Sequence, residues 1–268
     1  MTAAPKTALI TGASSGIGEA LARVYAQHQY DLILVARNVS KLEALAAQLN
    51  QDYGVEVAVR PCDLSVPGNV KELCETLLAD GPKVDVLVNN AGVVEHGSFA
   101  AIPVDDHQRV VQLNVCATTA MLAYLLPPMI KRGFGRVLNV ASLGAFQPLP
   151  SVATYAATKA FVLSLSEALA EEVRGTGVTV TALCPGLTAT NMVANAQKKS
   201  EKLLNIPNWV FADVETVAHK AFHGSLKGKA IVVPGAKNKL ASILSRATPK
   251  CLVRRVTGIV GRATLSRA

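Results

Sequence analysis

The sequence lacks several features by which some classes of protein are recognised. Its 5 cysteines and 5 histidines show neither metal-ligand nor redox spacing, so we expect no metal site and interpret the cysteines as buried free thiols. The N-terminal apolar run is too short for a signal peptide, and we find no stretch of about 18 uncharged apolar residues for a membrane span. These absences predict an intracellular, cytoplasmic protein.

Charge and linker composition exclude disorder and a multidomain chain. Only 17% of the 268 residues are charged, half are hydrophobic, and no Pro/Gly/Ser-rich or low-complexity stretch divides the sequence. A chain of this composition can bury a sizeable core, so we expect one large domain.

Acidic residues are absent from residues 216–268, which contain 11 Lys and Arg, whereas residues 1–215 contain 16 basic and 19 acidic residues. The net charge of +8 therefore belongs to the C-terminal tail. Apolar residues recur there at helical spacing: Leu240, Ile243, Leu244, Ala247, Leu252, Val253, Val256, Ile259 and Val260. Two interpretations remain open, namely a helix pair packing on the body or a partner subunit, and a basic amphipathic element on an anionic membrane. The tail lacks aromatic residues and a nucleic-acid motif, so we expect no nucleic-acid partner.

Seven short β-rich runs alternate with stretches of helical length. They read KTALITG, DLILVAR, VEVAVRPCD, VDVLVNNAG, GRVLNVAS, VTVTALCPG and AIVVPG. Several are almost continuously apolar, which is typical of parallel strands covered by helices on both faces. The alternation predicts an α/β fold with a doubly wound parallel sheet of about seven strands, in which ligands bind at the C-terminal ends of the strands.

A glycine-rich turn, TGASSGIG, follows the first predicted strand and opens the first helix. Gly12, Gly16 and Gly18 permit a tight turn and close approach of the backbone to a pyrophosphate at the helix N-terminus. The spacing differs from the common G-x-G-x-x-G fingerprint, so an ordinary strand-to-helix turn remains an alternative.

The ends of the next strands predict how the adenosine part of a dinucleotide is bound. The second strand ends in Arg37 instead of an acidic residue, and a guanidinium pairs with a 2′-phosphate, to which Ser14 can add a hydrogen bond. This favours NADP(H) over NAD(H), with a solvated surface arginine as the alternative. Asp63 follows the third strand and is placed to accept a hydrogen bond from adenine, and Asn90, Ala91 and Gly92 close the fourth strand.

Two residues four positions apart, Tyr155 and Lys159, predict acid–base chemistry. Such a pair shares one helix face, and a nearby cation lowers the tyrosine pKa from about 10, so that the phenol can exchange a proton with an alcohol or carbonyl oxygen. Ser142 follows the fifth strand, where it can hold the same oxygen. Asn114, in an apolar helix, needs a backbone carbonyl or a water as its partner. The alternative interpretation is that Tyr155 and Lys159 are both surface side chains of the helix and have no catalytic role.

Taken together, these motifs resemble the short-chain dehydrogenase/reductase superfamily from residue 7 to about 235. The resemblance is carried by residues 11–18, Asp63, Asn90–Gly92, Asn114, Ser142, Tyr155 with Lys159, and Pro185–Gly186 with Thr190. It implies a Rossmann-type fold, bound NAD(P)(H) and a catalytic tetrad of Asn114, Ser142, Tyr155 and Lys159. The implied cofactor-binding residues are Gly12, Ser14, Ser15, Gly16, Ile17, Gly18, Arg37, Asp63, Leu64, Asn90, Ala91, Gly92, Tyr155, Lys159, Pro185, Gly186, Thr188 and Thr190.

The resemblance also implies a role for each tetrad residue. Tyr155 donates the proton to the carbonyl, Ser142 polarises it, and Lys159 tunes Tyr155 and binds the nicotinamide ribose. Asn114 anchors a relay water. Pro185, Gly186, Thr188 and Thr190 flank the nicotinamide and its carboxamide.

These motifs define the expected domain and substrate. We expect a catalytic domain over residues 1–236 and a basic helical extension of the same domain over 237–268. The largely apolar segments 93–96, 143–150 and 187–212, the last including Trp209 and Phe211, should wall the pocket. The expected activity is NADPH-preferring reduction of a hydrophobic ketone, aldehyde or 3-oxoacyl group, by a homodimer or homotetramer with possible peripheral membrane contact through the tail. A non-catalytic NAD(P)-binding sensor or scaffold is the alternative.

Overall fold

The structure of the protein is a computed structural model, and it describes residues 5–79, 81–188 and 211–264. Within these ranges the strands are β1 Thr7–Thr11, β2 Asp31–Ala36, β3 Val57–Pro61, β4 Val84–Asn89, β5 Gly135–Val140, β6 Val178–Leu183 and β7 Ile231–Val232. The helices are α1 Gly16–Gln27, α2 Val39–Tyr53, α3 Asn69–Ala79, α4 Val104–Val111, α5 Thr118–Lys131, α6 Ala153–Glu172, α7 Val214–Leu226, α8 Ala236–Ala247 and α9 Lys250–Thr264. The predicted α/β class is confirmed.

The strands form one parallel sheet in the order β3-β2-β1-β4-β5-β6-β7. Side chains alternate across it, so that in β1 Ile10 packs into a core with α1, α2 and α7, and Leu9 into a second core with α3 and α5. Every residue of β1 and of β4 is buried, as strands covered on both faces require.

The strand order reverses between β1 and β4. Connections from β1 lead outward to β2 and β3 on one side, whereas β4 begins the other half of the sheet. In open parallel sheets this reversal opens a crevice at the C-terminal ends of the strands, where ligands bind. The glycine-rich turn after β1 lies at this point.

The longest helical segment contradicts the expectation that no stretch of the chain is long and apolar enough for a membrane span. Residues 104–131 run continuously through α4, a π-helical segment Gln112–Ala117 and α5, and an 18-residue window reaches a mean hydropathy of 1.5. By length and composition this segment is therefore sufficient for a membrane span, contrary to what we inferred from the sequence. Met121, Leu125 and Met129 of α5 are buried in the second core, which is also how the core helix of a globular protein meets that criterion.

The prediction that the cysteines are buried is correct for two of the five. Cys74 and Cys184 are buried, but Cys116 and Cys251 are exposed and Cys62 is half-buried. Composition does not determine which side of a helix a cysteine occupies, and Cys116 and Cys251 lie on solvent-facing sides. Among the described residues, no group of three or more His, Cys, Asp or Glu is placed to hold a metal ion.

The basic tail is helical, as its spacing predicts. In α8, the Ser245 hydroxyl donates to the Phe146 carbonyl at 3.0 Å, and Arg246 lies 3.6 Å from Glu167 of α6. The first helix of the tail therefore packs on the body, in line with one of the two interpretations left open by the sequence.

Candidate active site

A cavity of about 1130 Å³ opens at the C-terminal edge of the sheet. Most of the residues predicted to form the site line it: Gly12, Ser14, Ser15, Gly16, Ile17, Arg37, Asp63, Leu64, Asn90, Ala91, Gly92, Ser142, Tyr155, Lys159, Pro185, Gly186 and Thr188. Gly18 and Asn114 are not part of the cavity wall, and Thr190 lies outside the described residues. The sheet thus brings residues far apart in sequence to one surface.

The glycine-rich turn is held in place by Asn90. Its side-chain amide donates to the carbonyls of Thr11 (2.9 Å) and Gly12 (3.2 Å). Sequence reasoning missed Thr11, whose hydroxyl accepts from the backbone N–H groups of Asn90 (2.9 Å) and Ala91 (3.0 Å). Thr11 is a short polar residue at the end of an apolar strand, and this is the signal by which it could have been found.

The turn fits the pyrophosphate of a dinucleotide. Gly12 and Gly16 have φ values of +66° and +61°, and a β-carbon at Gly18 would lie 2.3 Å from the Gly12 carbonyl oxygen. Glycine therefore allows both the left-handed turn and the close approach of helix to strand. The free N–H groups at the start of α1 face this space with the positive end of the helix dipole.

Arg37 and Asp63 also line the cavity and lie opposite each other. The guanidinium is 3.7 Å from the carboxylate and its side chain is 64% exposed. Burial acts to raise the pKa of Asp63, but hydrogen bonds from the Ser65 hydroxyl and amide, together with the positive charge of Arg37, outweigh it and lower the pKa. Asp63 is therefore ionised at neutral pH, and Arg37 lies at the cavity with only a loose partner.

The side chains of Tyr155 and Lys159 both line the cavity. Lys159 is buried, its Nζ donates to the Val140 carbonyl at 2.7 Å, and Nζ lies 5.8 Å from the Tyr155 ring centroid. Ser142 caps the short 3₁₀ helix Leu143–Phe146, and its Oγ accepts from the Gly144 N–H at 3.0 Å. The hydroxyl proton of Ser142 remains able to donate into the cavity.

Burial shifts the pKa values of both residues. It raises the pKa of Tyr155, with a hydrogen bond to Ser142 acting in the opposite direction, and it lowers that of Lys159 to about 8, against an attraction from Cys184. The sequence predicted a tyrosine pKa lowered by the nearby cation, whereas in this structure burial outweighs the hydrogen bond to Ser142 and raises the pKa. Tyr155 consequently carries its proton at neutral pH, which is the form that can donate to a carbonyl oxygen.

Asn114 connects the loop after β4 to α6. Its side chain exchanges two hydrogen bonds with the Val93 backbone, at 2.9 Å and 3.0 Å, and donates to Thr158 Oγ1 at 3.0 Å. The expected bond to a backbone carbonyl is present, but the sequence did not predict that Asn114 lies in a π-helical segment. Thr158, which sequence reasoning missed, donates to the Tyr155 carbonyl at 2.7 Å.

Gly92 leaves space between Asn114 and Lys159. A β-carbon at this position would lie 3.1 Å from Asn114 Oδ1 and 3.4 Å from Lys159 Nζ. Because glycine has no side chain, it leaves the space between Asn114 Oδ1 and Lys159 Nζ unfilled. Such a space is suited to a water that Asn114 holds by a hydrogen bond and that exchanges protons with Lys159.

The remaining wall of the cavity is largely apolar. It includes residues from all three predicted segments, namely Val93, Val94, His96, Leu143, Gly144, Gln147, Leu149, Pro150, Leu187 and Thr188. Phe211 is not part of the wall, and Trp209 lies outside the described residues. Val256 and Thr257 of α9 also line it, and the sequence did not predict this because the contact depends on how the tail folds back.

The comparisons with known proteins agree with this geometry. The family model described as short chain dehydrogenase matches residues 6–201. The chain belongs to the short-chain dehydrogenase family. It is therefore an oxidoreductase that acts on CH–OH or C=O groups with NAD(P).

Three members of the short-chain dehydrogenase family illustrate the similarity. A 3-oxoacyl-(acyl-carrier-protein) reductase of Rickettsia felis is 31% identical over 216 residues, which cover 80% of this chain and 86% of the relative. The structure of a short-chain dehydrogenase from Sphingobium yanoikuyae in complex with NADPH superposes with a TM-score of 0.81 at 31% identity, covering 98% of each chain. A bulky-bulky ketone specific alcohol dehydrogenase from Comamonas testosteroni gives 0.76 at 28% identity, covering 98% of this chain and 96% of its own.

In this short-chain dehydrogenase, the buried Lys159 gives a testable pH dependence. Below about pH 8 Lys159 is charged in both the folded and the unfolded chain. The free-energy cost of burying its ammonium group then lowers the stability of the folded chain in full. Between about 8 and the ordinary value of 10.5 the folded chain releases the proton first, so the free energy of unfolding should rise with pH. We expect Lys159→Met to remove this rise, as measured by urea denaturation across that range.

The exposed Lys41 on α2 provides the matched control. Lys41→Met removes a lysine without uncovering a buried group, so its stability should follow that of the wild type at every pH. If Lys159→Met and the wild type changed in parallel from pH 7 to 10.5, the lowered pKa would be contradicted.

Proposed function

We propose that the protein is an NADPH-preferring carbonyl reductase that acts on a hydrophobic ketone, aldehyde or 3-oxoacyl group, or oxidises the matching secondary alcohol. One observation carries this proposal: Ser142, Tyr155 and Lys159 line the same cavity as the glycine-rich turn. A proton donor and a dinucleotide-binding turn thereby share one space with a largely apolar wall. Nothing comparable favours the alternative of a non-catalytic sensor.

The residues divide the reaction between binding and proton transfer. When bound, the dinucleotide supplies the hydride. Ser142 Oγ donates a hydrogen bond to the carbonyl oxygen and orients it, and the Tyr155 hydroxyl transfers its proton to that oxygen. Lys159 stabilises the resulting phenolate with its charge, and the gap beside Gly92 gives the proton a route from solvent. The hydride and this proton together convert the carbonyl to the alcohol.

The preference for NADPH rests on Arg37. Its exposed guanidinium lies at the cavity, where an acidic residue would otherwise bind a ribose 2′-hydroxyl. A 2′-phosphate carries more negative charge than the Asp63 carboxylate, which lies 3.7 Å from the guanidinium. The phosphate would therefore replace Asp63 as the partner of Arg37. The Sphingobium yanoikuyae structure was obtained with NADPH, which supports this assignment.

The proposed substrate class follows from the apolar wall and from the names of the relatives. A bulky ketone and a 3-oxoacyl thioester both offer a carbonyl next to apolar surface, and these are the substrates named for the Comamonas testosteroni and Rickettsia felis proteins. The segments around Val94 and Leu149 would contact the apolar part of such a substrate.

We also propose that residues 1–236 are the catalytic domain, that 237–268 extend it, and that the protein is a cytoplasmic homodimer or homotetramer. Support for assembly comes from apolar side chains left exposed on α4 and α6, namely Val104, Val111 and Phe161. Patches of this kind often mark subunit interfaces.

Oxidation of reduced cofactor, measured with apolar ketones, aldehydes and 3-oxoacyl thioesters, tests the function and the cofactor together. We expect turnover with a lower KM for NADPH than for NADH. Arg37→Ala should raise the KM for NADPH about tenfold, the effect of losing one exposed charge-assisted hydrogen bond, and leave that for NADH unchanged.

Lys41→Ala is the control, because it removes a nearby exposed cation that is not part of the cavity wall. Its KM values should equal those of the wild type. An equal preference for both cofactors in the wild type would overturn the assignment of Arg37, and absence of turnover across the panel would overturn the substrate class.

A further inference from the structure

The two tail helices α8 and α9 carry their apolar side chains on the outside. Leu240, Ile243 and Leu244 on α8 and Leu252, Val256 and Ile259 on α9 are each between 50% and 65% exposed. Their spacing places them on one side of each helix. We call these six residues the tail apolar surface.

Small and polar residues face inward instead. Ser242 of α8 is buried, Ser245 bonds to the Phe146 carbonyl, and Gly258 of α9 is buried. A helix that packs on a core normally turns its apolar side toward that core. The tail apolar surface is therefore not used for packing within the described part of the chain.

The helices that carry the tail apolar surface are strongly basic. Their exposed basic residues are Lys237, Lys239, Arg246, Lys250, Arg254 and Arg255. Arg246 lies 3.6 Å from Glu167 of the body, and residues 216–268 themselves contain no acidic residue. An apolar stripe between basic side chains is the pattern of helices that lie in the interface of an anionic membrane.

One residue links the tail apolar surface to the cavity. Val256 belongs to this surface and also lines the cavity, beside Thr257. The apolar side of α9 therefore reaches the candidate active site. A carbonyl compound dissolved in a bilayer would find the cavity at the place where the tail meets the lipid.

We propose that α8 and α9 dock the protein on an anionic lipid bilayer, with the cavity mouth at the headgroup level. A second copy of the chain fits less well, because two tails facing each other would bring like charges together with no acidic partner in residues 216–268. The docking itself is independent of the reductase proposal, whereas entry of a lipid-like substrate from the bilayer rests on it.

Flotation of the full chain with vesicles tests the docking without cofactor or substrate. The probes are vesicles of equal parts phosphatidylserine and phosphatidylcholine, and vesicles of phosphatidylcholine alone. We expect binding to the anionic vesicles at least about tenfold stronger than to the neutral ones, and weaker binding at high salt because surface charges are screened.

The triple variant Leu240→Ser, Ile243→Ser, Leu244→Ser should lose at least about tenfold in vesicle affinity. These positions are not part of the cavity wall, so turnover of a water-soluble ketone should stay at the wild-type level. The matched control replaces three exposed apolar residues elsewhere, Val66, Leu78 and Ile130, by Ser and should bind vesicles normally.

Either of two results would overturn the docking proposal. One is absence of binding to anionic vesicles at low salt. The other is a triple variant that binds vesicles as the wild type does but has a smaller mass by light scattering, because the surface would then be a subunit interface. Loss of vesicle binding with wild-type mass and turnover supports docking, and lack of turnover in an otherwise vesicle-binding wild type would count against the reductase proposal alone.

Discussion

Replacement of Tyr155 by Phe is expected to lower kcat for carbonyl reduction by about 10²- to 10⁴-fold, the usual contribution of a positioned general acid. The variant keeps the ring that lies beside Lys159 and removes only the hydroxyl that carries the proton. Since the variant leaves the glycine-rich turn and Lys159 unchanged, the Kd for NADPH should change little. Steady-state kinetics and a fluorescence titration of NADPH measure the two quantities separately.

Tyr124→Phe provides a matched control for Tyr155→Phe. Tyr124 packs against the second core, is half-buried and is not part of the cavity wall. Its loss of a hydroxyl should leave kcat unchanged. Wild-type turnover in Tyr155→Phe would refute the assignment of the proton donor, whereas equal losses in both variants would indicate a general effect on folding.

The arrangement of the site could be inferred from the sequence because, in a parallel sheet, the residues that follow each strand all lie along the same edge. Each strand ends at the same edge, so Gly12, Asp63, Asn90 and Ser142 had to lie near one another once the strands were identified. The pair Tyr155 and Lys159 follows from helical spacing in the same way. These inferences depend on local patterns and on a topology with few alternatives.

Other features depend on tertiary contacts that no local pattern contains. The π-helical segment contains Asn114, whose side chain is hydrogen-bonded to the backbone of Val93, a residue 21 positions away. The raised pKa of Tyr155 depends on how deeply the folded chain buries it. Likewise, the contact of Val256 with the cavity requires α9 to fold back across the body. Helical spacing identified the apolar side of the tail but did not reveal that this side faces outward.

The glycine-rich turn offers the second large effect. Gly12 has φ +66°, and a β-carbon there would lie 2.8 Å from Asn90 Nδ2 and 3.0 Å from the Ala91 α-carbon. We expect Gly12→Ala to move the turn and Asn90 away from each other, and so to displace the N–H groups at the start of α1. The Kd for NADPH should rise about a hundredfold, equivalent to about 2.7 kcal/mol.

Gly54→Ala separates this clash from the strain of the backbone itself. Gly54 ends α2 with φ +70°, nearly the same as Gly12, but a β-carbon there has no neighbour within 4 Å. Both variants should lose about 1–2 kcal/mol of stability from the left-handed conformation. Only Gly12→Ala should lose more than this and weaken NADPH binding, as measured by thermal unfolding and by titration. If Gly54→Ala weakened binding to the same degree, global destabilisation would account for both variants, and the close contact between Gly12 and Asn90 would have no specific role in holding the cofactor.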